Sequence, residues 1–121
     1  MTTDKNKEQF DKWYNVKFRF DLISSTNPNN YIVSTTPPID SFYRLPFEMQ
    51  IGVYLAYYDS LGIDIDVNQE ELTFNQAGIY INNKELREKI GLSVDVPGSW
   101  KTRNEAYKEA FKKADTLINE N

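Results

Sequence analysis

The chain contains neither cysteine nor histidine. Without cysteine there is no disulfide, no thiolate nucleophile and no zinc–thiolate site. Without histidine the commonest general base and the commonest metal ligand are both missing. Any catalysis would have to rest on Asp, Glu, Lys, Tyr, Ser or Thr, which turns the reading away from an enzyme and toward a protein with no cofactor. Basic residues are the minority, 14 against 18 acidic, for a net charge of −4. That balance argues against a dedicated nucleic-acid binder, whose footprint is a basic domain. The N-terminus lacks a positively charged start followed by an apolar run, so no signal peptide is read. The one strongly apolar helix is too short and too rich in Glu, Gln, Asp and Tyr to span a bilayer. The expectation is a soluble intracellular protein.

What is present suffices for a core. Hydrophobic residues make up 40% and aromatics 14% of 121 residues, enough for one domain without staples. The best-specified stretch is Leu45–Gly62, opened by Pro46 and closed by a glycine, and it reads as a central helix. Phe47, Ile51, Tyr54, Leu55, Tyr58 and Leu61 form one apolar stripe at spacings of three and four. Met49, Val53 and Tyr57 form a second ridge, and Gly52, Ala56 and Ser60 a shallow groove. A helix apolar on nearly every side must be covered on nearly every side. The first stripe is expected on a sheet and the second ridge on another helix. Phe10 with Trp13, or Tyr107 with Phe111, are the residues available to cover that ridge. A ridge left uncovered would be a homodimer or partner surface.

Around this helix the pattern is mixed. Asp4–Tyr14 reads as a short helix with Phe10, Trp13 and Tyr14 on one side. The alternation of Val16, Phe18, Phe20 and Leu22 with Lys17, Arg19 and Asp21 predicts a strand. Residues 24–38 are rich in Ser, Thr, Asn and Pro and read as a long polar loop. Ile63–Val67 alternates as a strand; Leu72–Phe74 and Ile79–Ile81 follow, with Asn75–Gly78 read as a hairpin turn. Asn83 is placed to cap a helix from Lys84 to Ile90 stopped by Gly91. Leu92, Val94 and Val96 add a short strand before a Pro97-Gly98 turn. Thr102 and Glu105 form a capping box for a closing helix with Ala106, Tyr107, Ala110, Phe111, Ala114, Leu117 and Ile118 on one face. The class is α+β: a single domain over 1–121, with an antiparallel sheet of about four strands packed by the central and closing helices. From Leu45 onward the order is α-β-β-β-α.

Two charge clusters carry the functional readings. Asp64, Asp66, Glu70 and Glu71, with Asn68 among them, start like a calcium-binding loop. Gln69 and Asn75 stand where that loop needs glycine and a bidentate glutamate, so no metal site is assigned. From Asp59 to Glu71 there are five acids and no base, and the four acids are the candidate protein-binding surface. Lys101, Arg103, Lys108 and Lys112 (with Lys113) make the closing helix locally basic, an alternative surface for nucleic-acid phosphates. Phe18 and Phe20 between Lys17 and Arg19 share the aromatic and basic interleaving of single-strand binders, but a core strand explains the same four residues without any ligand and is the preferred reading. Glu85–Ser93 is shaped like the start of a helix-turn-helix, yet Pro97 excludes a recognition helix after it. Tyr54, Tyr57 and Tyr58 could line a small-ligand pocket.

Two segments share a wider pattern: Leu45–Leu55 (LPFEMQIGVYL), followed by Tyr58-Asp59-Ser60, and Trp100–Ala110 (WKTRNEAYKEA). With these the C-terminal two thirds of the chain resembles small uncharacterised proteins carried by phages and prophages of Bacteroidetes. The resemblance implies context only: a phage or mobile-element accessory protein in a bacterial host cytoplasm, or one packaged in a virion. No functional residue carries over. The expectation is a non-enzymatic protein that binds another protein, such as a host defence or transcription component. The alternatives are nucleic-acid binding through the closing helix, small-ligand binding and a virion role.

Overall fold

The computed structural model describes residues 4–18, 38–71 and 74–120. In chain order these form α1 (Asp4–Trp13), a π-helical turn (Tyr14–Phe18), α2 (Ile39–Tyr43), α3 (Phe47–Ser60), β1 (Ile63–Glu71), β2 (Phe74–Ile81), α4 (Lys84–Ile90), β3 (Ser93–Trp100) and α5 (Arg103–Glu120). The strands make one antiparallel sheet in the order β1-β2-β3. The class is α+β as expected, with α4 inserted between β2 and β3.

Strand alternation decides which sheet face is inside. Ile63, Ile65 and Val67 of β1, Ile79 and Ile81 of β2 and Val96 of β3 are buried on one face, and α5 packs across all three strands there. α5 is amphipathic, with Ala106, Ala110 and Ala114 buried. Small side chains on this stripe let the helix lie close to the sheet. Thr102 Oγ1 accepts from the Glu105 N–H at 3.2 Å, which supplies the Thr102 half of the expected capping box. At α4, Asn83 Oδ1 accepts from the N–H groups of Glu85 and Leu86 at 2.9 and 3.2 Å.

Three expectations are corrected. Val16–Phe18 continue a helix instead of opening a strand, and Val16 is exposed. Phe10, Trp13 and Tyr14 lie on one helical face and join an aromatic core with Phe42, Tyr43, Tyr54 and Tyr57. That cluster outweighs the local alternation. Arg19–Leu22 and the loop proposed over 24–38 lie outside the described residues, Pro38 excepted. The described sheet has three strands. Next, Asn75–Gly78 is not a turn. β2 runs straight through it, with Asn75 turned inward to donate its amide to the carbonyls of Trp100 and Lys101 at 3.3 Å. Leu72 and Thr73, at the β1–β2 junction, lie outside the described residues. Finally, Pro97-Gly98 does not end β3. The register steps from Ala77↔Val96 to Asn75↔Trp100, so β3 bulges there and resumes. Gly98 permits this with φ +120°, and the Trp100 ring lies where a Cβ on Gly98 would approach to 3.1 Å.

The central helix, α3, is covered differently from the expectation. Phe47, Tyr54 and Tyr58 from its first stripe meet Phe111 of α5, with centroid separations of 5.4–5.9 Å, while the helix's main contact with the sheet is to β1. Tyr57 from the second ridge meets Phe10 and Trp13 of α1 at 5.2 and 5.5 Å. The ridge is therefore covered within the monomer at Tyr57, but Met49 remains 62% exposed. The groove at Gly52 is open, with nothing within 4 Å of where a Cβ would stand.

Candidate functional site

The outer face of the sheet is acidic. Period-two geometry sends Asp64, Asp66 and Asn68 of β1 to the side opposite Ile63, Ile65 and Val67. Cross-strand pairing then sets Asp64 opposite Tyr80, and both Asp66 and Asp95 opposite Gly78. Asp66 and Asp95 thus flank Gly78 from either side, roughly 10 Å apart by strand spacing. Tyr80 is 47% exposed. Its ring lies along the strand over Gly78, the hydroxyl 3.9 Å from where a Cβ would be. The result is an aromatic ring set among three carboxylates, and none of the three strands contains Lys or Arg. Asn68 donates its amide to Asp66 at 2.6 Å. Of the four acids singled out in the sequence, Asp64 and Asp66 share this face. Glu70 and Glu71 belong to β1 by backbone, and their side chains lie outside the described residues. Sequence reasoning missed Asp95 and Tyr80; the alternation of Ser93-Val94-Asp95-Val96 carried the signal.

The four basic residues do not form one face. Arg103 sends its guanidinium back to the sheet, donating to the Val67 carbonyl at 3.2 Å. Lys101 precedes the helix, its carbonyl accepting from Asn75. Lys108 and Lys112, one turn apart, stand together on the side of α5 that faces α3. Lys108 lies over the Phe47 ring, 5.1 Å from its centroid, and Lys112 pairs with Glu109 at 3.3 Å. They border a cavity of about 150 Å³ between the two helices, lined also by Gln50, Tyr54, Tyr58, Phe111 and Asp115.

Beneath this cleft lies a polar network joining three helices. Asp115 of α5 is only 2% exposed. Its Oδ1 accepts from the Asn6 amide of α1 and from the Tyr58 hydroxyl of α3, the latter at 2.5 Å. Asn6 in turn accepts from the Tyr57 hydroxyl at 2.6 Å. A buried carboxyl requires such donors, since an unpaired one would cost several kcal/mol (about 2–7 for a polar group). Nearby, Tyr43 donates to Asp11 at 2.5 Å, and Lys7 pairs with the same carboxylate at 3.1 Å. These surroundings hold the phenols in the protonated form. Burial first, and then the charge of Asp115, push Tyr57 and Tyr58 well above the usual tyrosine value. Tyr54 is pushed up to about 12 by burial, with smaller contributions from Asp115 and Asp11. Tyr43 is raised further by burial and by its bond to Asp11.

Among the described residues no helix is long and apolar enough to cross a membrane. No group of three or more potential metal ligands occurs among them. No protein-family model matches the chain, and neither the curated proteins nor the solved structures include one similar to it.

Proposed function

We propose that the protein is a non-enzymatic accessory protein of a phage or mobile element, working in a bacterial host cytoplasm by binding another protein. The partner presents a basic surface to the outer face of the sheet. What supports this reading is the grouping of Asp64, Asp66 and Asp95 around exposed Tyr80 on strands that contain no cation. Carboxylates around an aromatic face suit a guanidinium or ammonium group, which gains ion pairing and a cation–π contact together. Eight residues of β2 span roughly 27 Å and three strands roughly 14 Å, so the face offers roughly 400 Å². That is about half of what each partner contributes to a standard interface. The contact is therefore transient, or extends over the rim of the sheet.

The test is affinity capture from a Bacteroidetes host lysate, comparing the parent with Asp64→Lys/Asp66→Lys/Asp95→Lys and with Lys108→Glu/Lys112→Glu. The first variant is expected to lose the captured protein and the second to keep it. Retention by the acid-reversed variant contradicts the reading. Strongly salt-dependent binding of DNA or RNA, abolished by Lys108→Glu/Lys112→Glu, would favour the nucleic-acid alternative.

A further inference from the structure

The cleft between α3 and α5 has the construction of a small-molecule site, independent of the sheet face. Its walls are aromatic, Phe47, Tyr54 and Tyr58 from one helix and Phe111 from the other, and about 150 Å³ is open between them. A void of that size holds one six-membered ring with small substituents and is too small for a nucleotide.

The polar groups around it are arranged asymmetrically. At the rim stand Lys108 and Lys112. Lys108 has no acidic partner among the described residues, and the exposed pair between Lys112 and Glu109 is worth little. Inside, Gln50 is nearly buried and spends its amide N–H on the Phe42 carbonyl at 2.9 Å. Its carbonyl oxygen has no partner among the described residues, and neither does the Tyr54 hydroxyl. The Tyr58 hydroxyl is already committed to Asp115. The interior therefore offers one acceptor, Gln50 Oε1, beside one uncommitted hydroxyl and the already bonded Asp115 carboxyl, while the positive charge is all at the mouth.

We propose that this cleft binds a monocyclic aromatic acid bearing a ring hydroxyl. The ring lies against Phe47 and Phe111, the hydroxyl points inward to Gln50 Oε1, and the carboxylate faces outward to Lys108 and Lys112. The reverse orientation would set the ligand's negative charge beside Asp115.

The experiment uses 4-hydroxybenzoate as the probe, titrated into the full chain and followed by amide chemical shifts and by calorimetry. Saturable binding is expected with Kd on the order of 0.1–1 mM, and with shifts concentrated on α3 and α5. The neutral analogue 4-hydroxybenzyl alcohol should bind roughly ten-fold more weakly, as should 4-hydroxybenzoate to Lys108→Met/Lys112→Met. These substitutions keep the apolar stems and leave the aromatic core intact; an unchanged melting temperature confirms that the variant is folded. Absence of saturable binding by the parent overturns the proposal. So does equal affinity for the alcohol, or a Lys108→Met/Lys112→Met variant that binds as the parent does.

Discussion

Removing a single oxygen at Tyr58 tests how the three helices are held together. Tyr58 is fully buried and its ring stacks on Phe111 at 5.4 Å. Tyr58→Phe preserves that ring and deletes only the hydroxyl that donates to Asp115 at 2.5 Å. A hydrogen bond to a charged acceptor contributes about 1.5–3 kcal/mol, and its loss also leaves the carboxyl with one donor fewer. For a domain of this size each kcal/mol shifts the melting temperature by roughly 3–6 °C. The expected drop is therefore roughly 5–18 °C, read by calorimetry at neutral pH. Tyr80→Phe, on the exposed face, is the control and should change stability by less than about 0.5 kcal/mol. A double-mutant cycle with Asp115→Asn should show coupling of about 1 kcal/mol or more, because the two residues share one bond. If Tyr58→Phe is as stable as the parent within about 0.5 kcal/mol, the network does not brace the core.

Alkaline pH should unfold the protein. Tyr43, Tyr54, Tyr57 and Tyr58 keep their protons in the fold above the value near 10 at which an unfolded chain releases them. The native state then binds more protons. The contribution is complete below pH 10 and is lost above it, at up to about 1.4 kcal/mol per pH unit for buried Tyr58 alone. Tyrosinate absorbance and circular dichroism should change together for these residues; ionisation completed while the fold persists would contradict this. Gly62→Ala should cost about 2 kcal/mol or more in a denaturant titration, since φ is +79° and a Cβ would sit 2.6 Å from that of Asn83. Gly52→Ala should have the opposite sign, a gain of about 0.5–1 kcal/mol by the same titration, because the site is mid-helix with open space around it.

How much was legible follows from the range of each interaction. α4, α5 and the body of α3 are marked by local signals, a cap at Asn83, a capping pair at Thr102 and Glu105 and a proline before Phe47, and all three form where read. The apolar alternation of Ile63–Val67 likewise gives β1. Residues 75–78 misled because Asn, Gln and Gly are turn formers in isolation. Asn75 instead satisfies carbonyls from β3 and the approach to α5, partners 25 and 26 positions away. Val16 misled because its alternation is a local pattern, while Phe10 and Tyr14 answer to rings contributed by α2 and α3. The site divides the same way. Asp64 and Asp66 were visible on their own strand, but Asp95 joins them only through the β2–β3 register. Asp115 was not singled out in the sequence, because its donors, Asn6 and Tyr58, come from two other helices.

A partner docked on the outer sheet face would close Asp64, Asp66 and Asp95 to solvent. Carboxyl footprinting of the protein with and without its captured partner measures this residue by residue. Protection of Asp64, Asp66 and Asp95 from labelling, with Asp59 and Glu85 unchanged, is the predicted result. Full labelling of those three carboxylates in the complex would contradict it and move the interface to another surface.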